Sequence, residues 1–392
     1  MSSLRFVGLD VHKDTIVIAV ANEGQTPAEV LGTFANDVAA MKKKLLKLAT
    51  SKSDLRVCYE AGPTGFGLCR DLRAEGIDCR VIAPSLVPKQ SGSRVKTDRR
   101  DAMRLAQFLR SNDLTDVWVP DEKTEGLRDL ERARDDAKNS ERVARHQLSK
   151  FLLRNDCAYK DGRAWTVAHA GWLKKLKFED RCKQQVHVDY CRAVEAATER
   201  VKRLSTDIAL LIRGMPMEPL VTALTAFYGI QLLSAVIIVA ELGDLRRFKS
   251  PRELMAFLGL VVSEHSSGKT IRRGSITRTG NAYVRRILVE AVQHYRRVGS
   301  RSTSVEARRK EISPEVVAIA KKAEVRLKKR MQHLTDRGKP WNKIVIALAR
   351  EMSGFIWAVG QVPTLLATVV APEQSSAPKQ QMREKKAKKI AP

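Results

Sequence analysis

From Val194 to Leu211 the apolar residues Val194, Ala197, Val201, Leu204, Ile208 and Leu211 recur alternately three and four positions apart. Such a run lies along one side of a helix, and so narrow a stripe seats a second helix rather than a sheet. A less complete seam, Leu127, Leu130, Ala137, Ala144, Leu148 and Phe151, precedes it. Residues 119–214 are therefore expected to form a helical coiled-coil arm, either folded back on itself or zipped to a second copy of the chain. The stretch "DGRAWTVAHAGWLKKLKF" between the seams would be its tip. An arm of this kind has no globular core, so the residues on either side must each build their own. With 392 residues the chain is long enough to do so.

Residues 1–118 alternate strand and helix signals. "RFVGLDV" and "TIVIAVA" read as adjacent strands joined by the turn "HKD". "LRVCYEAG" and "CRVIAP" are further β runs, separated by the helical "FGLCRDLRAEG". This is an α/β domain. Residues 215–372 read as mainly helical and basic. Within them "LVTALTAFYGIQLLSAVIIVAELGDLRRF" gives two helices around the turn "YGIQ". That pattern is either a helix–hairpin–helix, which grips nucleic-acid backbone through turn amides, or an ordinary helical hairpin. Its run "LLSAVIIVAELG" is too short to span a bilayer and carries Glu241, so a buried helix is expected. Residues 373–392 hold six Lys and Arg among Pro, Gln and Ser, the composition of a disordered basic tail.

Lys and Arg number 71 against 44 Asp and Glu, a formal charge of +27, and the partner this calls for is a polyanion, nucleic acid first. Aromatics are only 5% of the chain, which favours contact with backbone over contact with many stacked bases. The six cysteines form no CxxC and no Cys/His cluster, so reduced thiols and no zinc site are expected. The start, "MSSLRFVGLD", lacks a signal-peptide pattern. A soluble cytoplasmic protein is expected, nucleoid-associated when acting and without a membrane partner.

In so basic a chain the placement of acids is informative. "VKTDRRDAMRLAQF" puts Asp98 and Asp101 on the same helical stripe as Ala102, Leu105, Ala106 and Leu109, with Arg99, Arg100 and Arg104 opposite. Carboxylates on a face that should be buried need a counter-ion. Asp10 ends one strand and Glu60 another, and sites in open α/β sheets collect at strand ends. Four converging carboxylates suit hard divalent cations such as Mg²⁺, with Mn²⁺ a possible substitute, and two ions can flank a phosphodiester. The order D…E…DxxD on these elements fits a ribonuclease H-like (RuvC-like) nuclease domain.

The C-terminal region holds "LGLVVSEHSSGKTIRRGSITRTGNAYVRR". A P-loop needs glycine where Ser263 stands, so "GKT" is not one. What remains is a Ser-Ser-Gly loop followed by Lys269, Arg272, Arg273 and Arg278, then a helix with Arg285 and Arg286. This is either a hairpin whose arginines grip phosphate or a nucleophilic serine beside a phosphate cradle, with His265 two residues before Ser267.

"GLDVHKD", "YEAG", "KTDRRDA" and "LGDLRRFKSPRELMAFLGLVVSEHSSGK…RRGSITRTGNAYVRR" together resemble the DEDD transposases of bacterial insertion sequences, in order and over nearly the whole chain to about residue 360. The turn "YGIQ" departs from the family's PGIG-like pattern. The resemblance implies that Asp10, Glu60, Asp98 and Asp101 bind Mg²⁺, and that Ser267, before Gly268, attacks DNA to give a phosphoserine intermediate; Ser266 is its neighbour. It further implies donor and target double-stranded DNA, a structured non-coding bridge RNA as guide, and a homo-oligomer, dimer or tetramer. Lys96, Arg99, Arg100, Lys269, Arg272, Arg273, Arg278, Arg285 and Arg286 are the expected nucleic-acid contacts. The rival reading is a RuvC-like junction endonuclease that uses water as nucleophile; a non-enzymatic basic scaffold is third.

Overall fold

The computed structural model describes residues 3–88, 97–268, 270–297 and 303–366. Lys96, Lys269 and the tail from Glu373 lie outside these residues. The chain divides into two compact units after Glu122.

In the first unit, β1 (Arg5–Val11), β2 (Thr15–Asn22), β3 (Glu29–Ala35), β4 (Leu55–Glu60) and β5 (Asp78–Ile82) form one sheet in the order β3-β2-β1-β4-β5. β1, β2 and β3 pair antiparallel, whereas β1, β4 and β5 run parallel. α1 (Val38–Leu46) and α2 (Gly67–Ala74) supply Met41, Leu45, Leu68 and Leu72 to the core on one face, against Val7 and Leu9. α3 (Asp98–Ser111) covers the other face, where Leu105 and Leu109 meet Cys58 and Ile82. Gly8 lets α3 come this close, because a Cβ there would stand 2.2 Å from the Ala102 carbonyl oxygen. A mixed sheet with helices on both faces is compatible with a ribonuclease H-like domain. β3 and α1 stood outside the sequence reading: β3 carries a mid-strand glycine, Gly32, and α1 a run of three lysines.

In the second unit α4 (Glu122–Arg154) and α6 (Arg181–Leu211) are long helices with α5 (Val167–Lys175) between them in sequence. They pack antiparallel within the one chain. The Arg134 Nε donates to Ser205 Oγ at 2.8 Å, the Thr198 hydroxyl donates to Glu141 at 2.9 Å, and the Phe151 ring meets Tyr190 edge-on. The upstream seam is buried at Leu127, Ala137, Ala144, Leu148 and Phe151. The downstream one is only half closed: Val194, Ala197, Val201 and Leu204 are half-buried and Leu211 is exposed.

The remaining helices are α7 (Glu218–Leu224), α8 (Leu232–Leu242), α9 (Pro251–Phe257), α10 (Ala282–Gln293), α11 (Thr303–Arg309), α12 (Pro314–Asp336), α13 (Trp341–Val359) and α14 (Pro363–Leu366). α7 to α10, α12 and α13 share one core, which Leu127 and Ile208 of the long pair also join. α8 is buried from Ala235 to Leu242, as its apolar run requires. Among the described residues no helix is long and apolar enough to cross a membrane. A two-stranded hairpin, β6 (Val262–Glu264) and β7 (Arg273–Ile276), interrupts the helices.

Candidate catalytic site

Asp10 and Glu60 are placed by register. Leu9 pairs with Tyr59 across the parallel strands β1 and β4, so Asp10 and Glu60 follow as neighbours at the strand ends, a spacing of ~4.8 Å for adjacent strands. Asp10 lies two residues beyond Gly8, and period-two alternation keeps it on the α3 side. α3 starts with Thr97 as its cap, whose hydroxyl accepts from the Arg100 N–H at 3.4 Å. Its first turn then delivers Asp98 and Asp101 to the same sheet end.

The acids differ in setting. Asp101 is buried, with 8% of its surface exposed, whereas Asp98 is exposed, which corrects the expectation that both lie on the buried face. The reason is position: as the first helical residue, Asp98 meets the β1–β2 turn rather than the sheet. Arg104 is likewise not opposite the acids, since its Nη2 donates to Asp101 Oδ1 at 2.6 Å, one turn along. Arg99 and Arg100 are exposed.

The turn contributes a residue that sequence reasoning passed over. His12 Nε2 lies 3.4 Å from Asp10 Oδ2 and 3.6 Å from Asp98 Oδ2. The turn itself is fixed, with the His12 N–H donating to the Thr15 carbonyl at 2.8 Å and the Asn36 side chain donating to the His12 carbonyl at 2.8 Å. Its signal was available: a histidine two residues past a strand-end aspartate returns to the same side. Burial raises the Asp10 carboxyl above its usual range; His12 opposes this, and the charges of Asp98 and Asp101 add to it. Three acids thus share one electrostatic site, with Glu60 beside Asp10 in register.

The donors of Asp10, His12 and Asp98 lie within 4.8 Å of one another. Two ligands ~2.1 Å from one ion stand ~3.0 Å apart at right angles and ~3.4 Å apart at a tetrahedral angle. The separations of 3.4 and 3.6 Å are therefore close to those of a shared coordination shell, and the donor set fits a divalent cation.

In the second unit the Ser-Ser-Gly loop is the tip of the β6–β7 hairpin. Ser267 and Thr270 exchange backbone hydrogen bonds at 3.1 and 3.0 Å, and Gly268 turns the chain at φ +55°. Ser267 is exposed, and its hydroxyl bonds to no other described residue. Ser266 is engaged: its hydroxyl donates to Glu264 at 2.8 Å and accepts from the Arg272 N–H at 3.3 Å. Arg273 also donates to Glu264, and the two bonds hold the Glu264 carboxyl below its usual range. His265 is tied through its backbone to the Arg272 carbonyl.

The basic residues sort into two groups. Arg272, Arg273 and Arg278 are exposed around the hairpin. Arg285 donates to the Leu258 and Thr279 carbonyls, and Arg286 pairs with both oxygens of Asp135 on α4, so these two are engaged within the protein. Asn281 caps α10 and donates to the buried Glu241, which also accepts from Arg132. This fixes the base of the hairpin. The turn "YGIQ" faces inward through Tyr228, which stacks edge-on with buried Tyr295.

The profile described as the IS116/IS110/IS902 transposase family matches residues 221–305, the segment with Ser267. A second profile, described as a transposase, matches residues 7–155, the segment with the four acids. The chain is 41% identical to a putative transposase, y4qE, of Sinorhizobium fredii over 91% of its own length and 88% of the relative's. It is 33% identical to the transposase for insertion sequence element IS1533 of Leptospira borgpetersenii, over 85% and 97% of the two chains. A probable family 20 transposase of Pseudomonas aeruginosa is 27% identical over 77% and 83%.

Proposed function

Because the chain belongs to the IS110-type family of insertion-sequence transposases, we propose that Asp10, Glu60, Asp98 and Asp101 hold the divalent cation of its DNA chemistry, with His12 as a further ligand. The observation that carries this is the gathering of Asp10, His12 and Asp98 at one sheet end with donor separations near those of a shared ion, while Asp101, paired with Arg104, is close enough to act on Asp10 through its charge. Mg²⁺ is the assigned ion, with Mn²⁺ able to replace it because imidazole suits softer metals better. When bound, it supplies positive charge to the non-bridging oxygens of a phosphodiester.

Ser267 is the assigned nucleophile. Its Oγ forms a bond to phosphorus while the bond from phosphorus to one deoxyribose oxygen breaks, and the serine proton ends on the departing oxygen. Exposure at a hairpin tip supports this, as does the engagement of neighbouring Ser266 with Glu264. Arg272, Arg273 and Arg278 take the DNA phosphates near the hairpin, and Arg99 and Arg100 those near the acids. The net charge of +27 supports a structured guide RNA as a second polyanion, with sequence choice left to base pairing. The half-closed seam of α6 supports a dimer or larger assembly, which two cut duplexes also need.

Denaturing gels of the protein incubated with labelled element-end DNA and Mg²⁺ test the reading. Wild type should yield a covalent adduct that Ser267→Ala does not. Adducts from Ser267→Ala would end it. Cleavage by wild type with no adduct would instead favour hydrolysis by water, the reading that a Ser267 hydroxyl without a base among the described residues also allows.

A further inference from the structure

The tip of the long helical pair holds a feature that strand exchange does not use. Aromatics are 5% of the chain, yet Tyr159, Trp165, Trp172 and Phe178 fall within twenty residues of one another there. Around them α4, α5 and α6 leave a cavity of about 450 Å³, within the ~300–1,000 Å³ of small-molecule sites. Leu148 and Leu173 give it apolar walls, and Trp165 gives it an aromatic one. His169 also lines it, is 5% exposed, and has a buried Nδ1 with no hydrogen-bond partner among the described residues. Burial lowers the affinity of that imidazole for a proton.

Trp165 has a backbone φ of +65°, which a bulky residue adopts only where its surroundings hold it. The His169 ring packs edge-on at 5.2 Å on one side, and the Arg145 guanidinium lies 5.1 Å from the indole centre. The exposed carboxylates of Glu195 and Glu199 on α6 also line the cavity.

We propose that this cavity receives a single unpaired nucleobase of a bound nucleic-acid strand. A base brings the flat π face that an indole and a guanidinium stack against. It also brings N–H donors for the carboxylates of Glu195 and Glu199. Arg145 and Lys174 balance Glu195 and Glu199 around the cavity, so its lining has no net charge to draw in a bare phosphate, whereas a flat neutral ring with polar edges suits it. The inference rests on the family's action on nucleic acid but on neither the acids nor Ser267.

The test measures binding of the full-length chain, without cleavage, to short hairpins carrying one bulged 2-aminopurine. DNA and RNA versions are compared with fully paired hairpins of equal length. Wild type should prefer the bulged form ~10-fold in at least one of the two, with a change in 2-aminopurine fluorescence, and the preferred version identifies the source of the base. Trp165→Leu should abolish the preference while leaving affinity for paired hairpins unchanged. Ala170→Phe, at an exposed position lining the cavity, should fill it with the same result, and does not depend on the strained tryptophan. Equal binding of bulged and paired forms by wild type in both DNA and RNA would overturn the proposal, as would a preference that survives in Ala170→Phe. Absence of any nucleic-acid binding by wild type would instead strike the family-level reading.

Discussion

The sheet end of the first unit and the hairpin tip of the second carry the two halves of the proposed chemistry, and they are built in opposite ways. At the sheet end, two strands, a turn and a helix are locked by a buried core, and the polar groups face one another. At the tip, Ser267 is exposed on a two-stranded hairpin and is held through its backbone bonds to Thr270. On the proposed reading, Asp10 and Asp101 are preorganised by packing, whereas Ser267 would take its place from the DNA it meets. The cost of positioning falls on folding in one case and on binding in the other.

The largest expected effects test the chemistry on both sides. Asp10→Asn removes ligand charge at nearly constant volume and should lower strand exchange ~10³-fold or more, measured as product formed per hour. Activity within tenfold of wild type would remove Asp10 from the site. Ser267→Ala should be equally inactive yet bind DNA as well as wild type by gel shift. Ser266→Ala should cost less than ~10-fold, because it removes one bond to Glu264 and one from the Arg272 N–H but leaves the Arg273–Glu264 pair and the hairpin tip in place.

The next contrast is one of rigidity. Gly8→Ala puts a methyl group 2.2 Å from the α3 backbone and should destabilise the first unit by ~3 kcal/mol, read by denaturant unfolding. Gly268→Ala meets no atom within 4 Å and should cost only ~1 kcal/mol for its left-handed backbone. Equal losses at the two glycines would break the comparison.

The smallest effect concerns the acids without a cation. The folded-state pKa of Asp10 is raised, so its protonated form is favoured in the native state, and that stability is lost as pH rises through the folded value. At pH 7 without divalent metal, Asp10→Asn should therefore melt slightly above wild type, and added metal should reverse the order. A lower melting temperature for the variant in EDTA would show the carboxylate to be a net stabiliser.

Much of this could be read off the chain because it follows short-range rules. The strands around Asp10 and Glu60 alternate or run apolar, α3 has its cap and stripe, and α8 is too apolar to be anything but buried. What escaped depends on tertiary neighbours. Asp98 and Asp101 share a stripe, but only packing decides that one meets a turn and the other a core. Arg104 was assigned to the far side, yet a flexible side chain one turn away reaches back to Asp101. Arg285 and Arg286 looked like phosphate ligands; nothing local announces carbonyls at Leu258 and Thr279 or an aspartate some 150 residues earlier. His12 was read only as part of the turn "HKD": its spacing from Asp10 hints at the same side, but its approach to Asp98 depends on how α3 packs against the turn.

The docking of α3 on Gly8 also governs timing during synthesis. Asp10 and Glu60 leave the ribosome well before Asp98 and Asp101, and α3 is the last helix the first unit acquires. A chain interrupted before α3 carries at most two of the four acids, Asp10 and Glu60, and so cannot assemble the proposed metal site. Products terminated before α3 are therefore expected to be inert toward DNA strands, and on the proposed reading a complete first unit still waits for Ser267, which is synthesised more than 150 residues later.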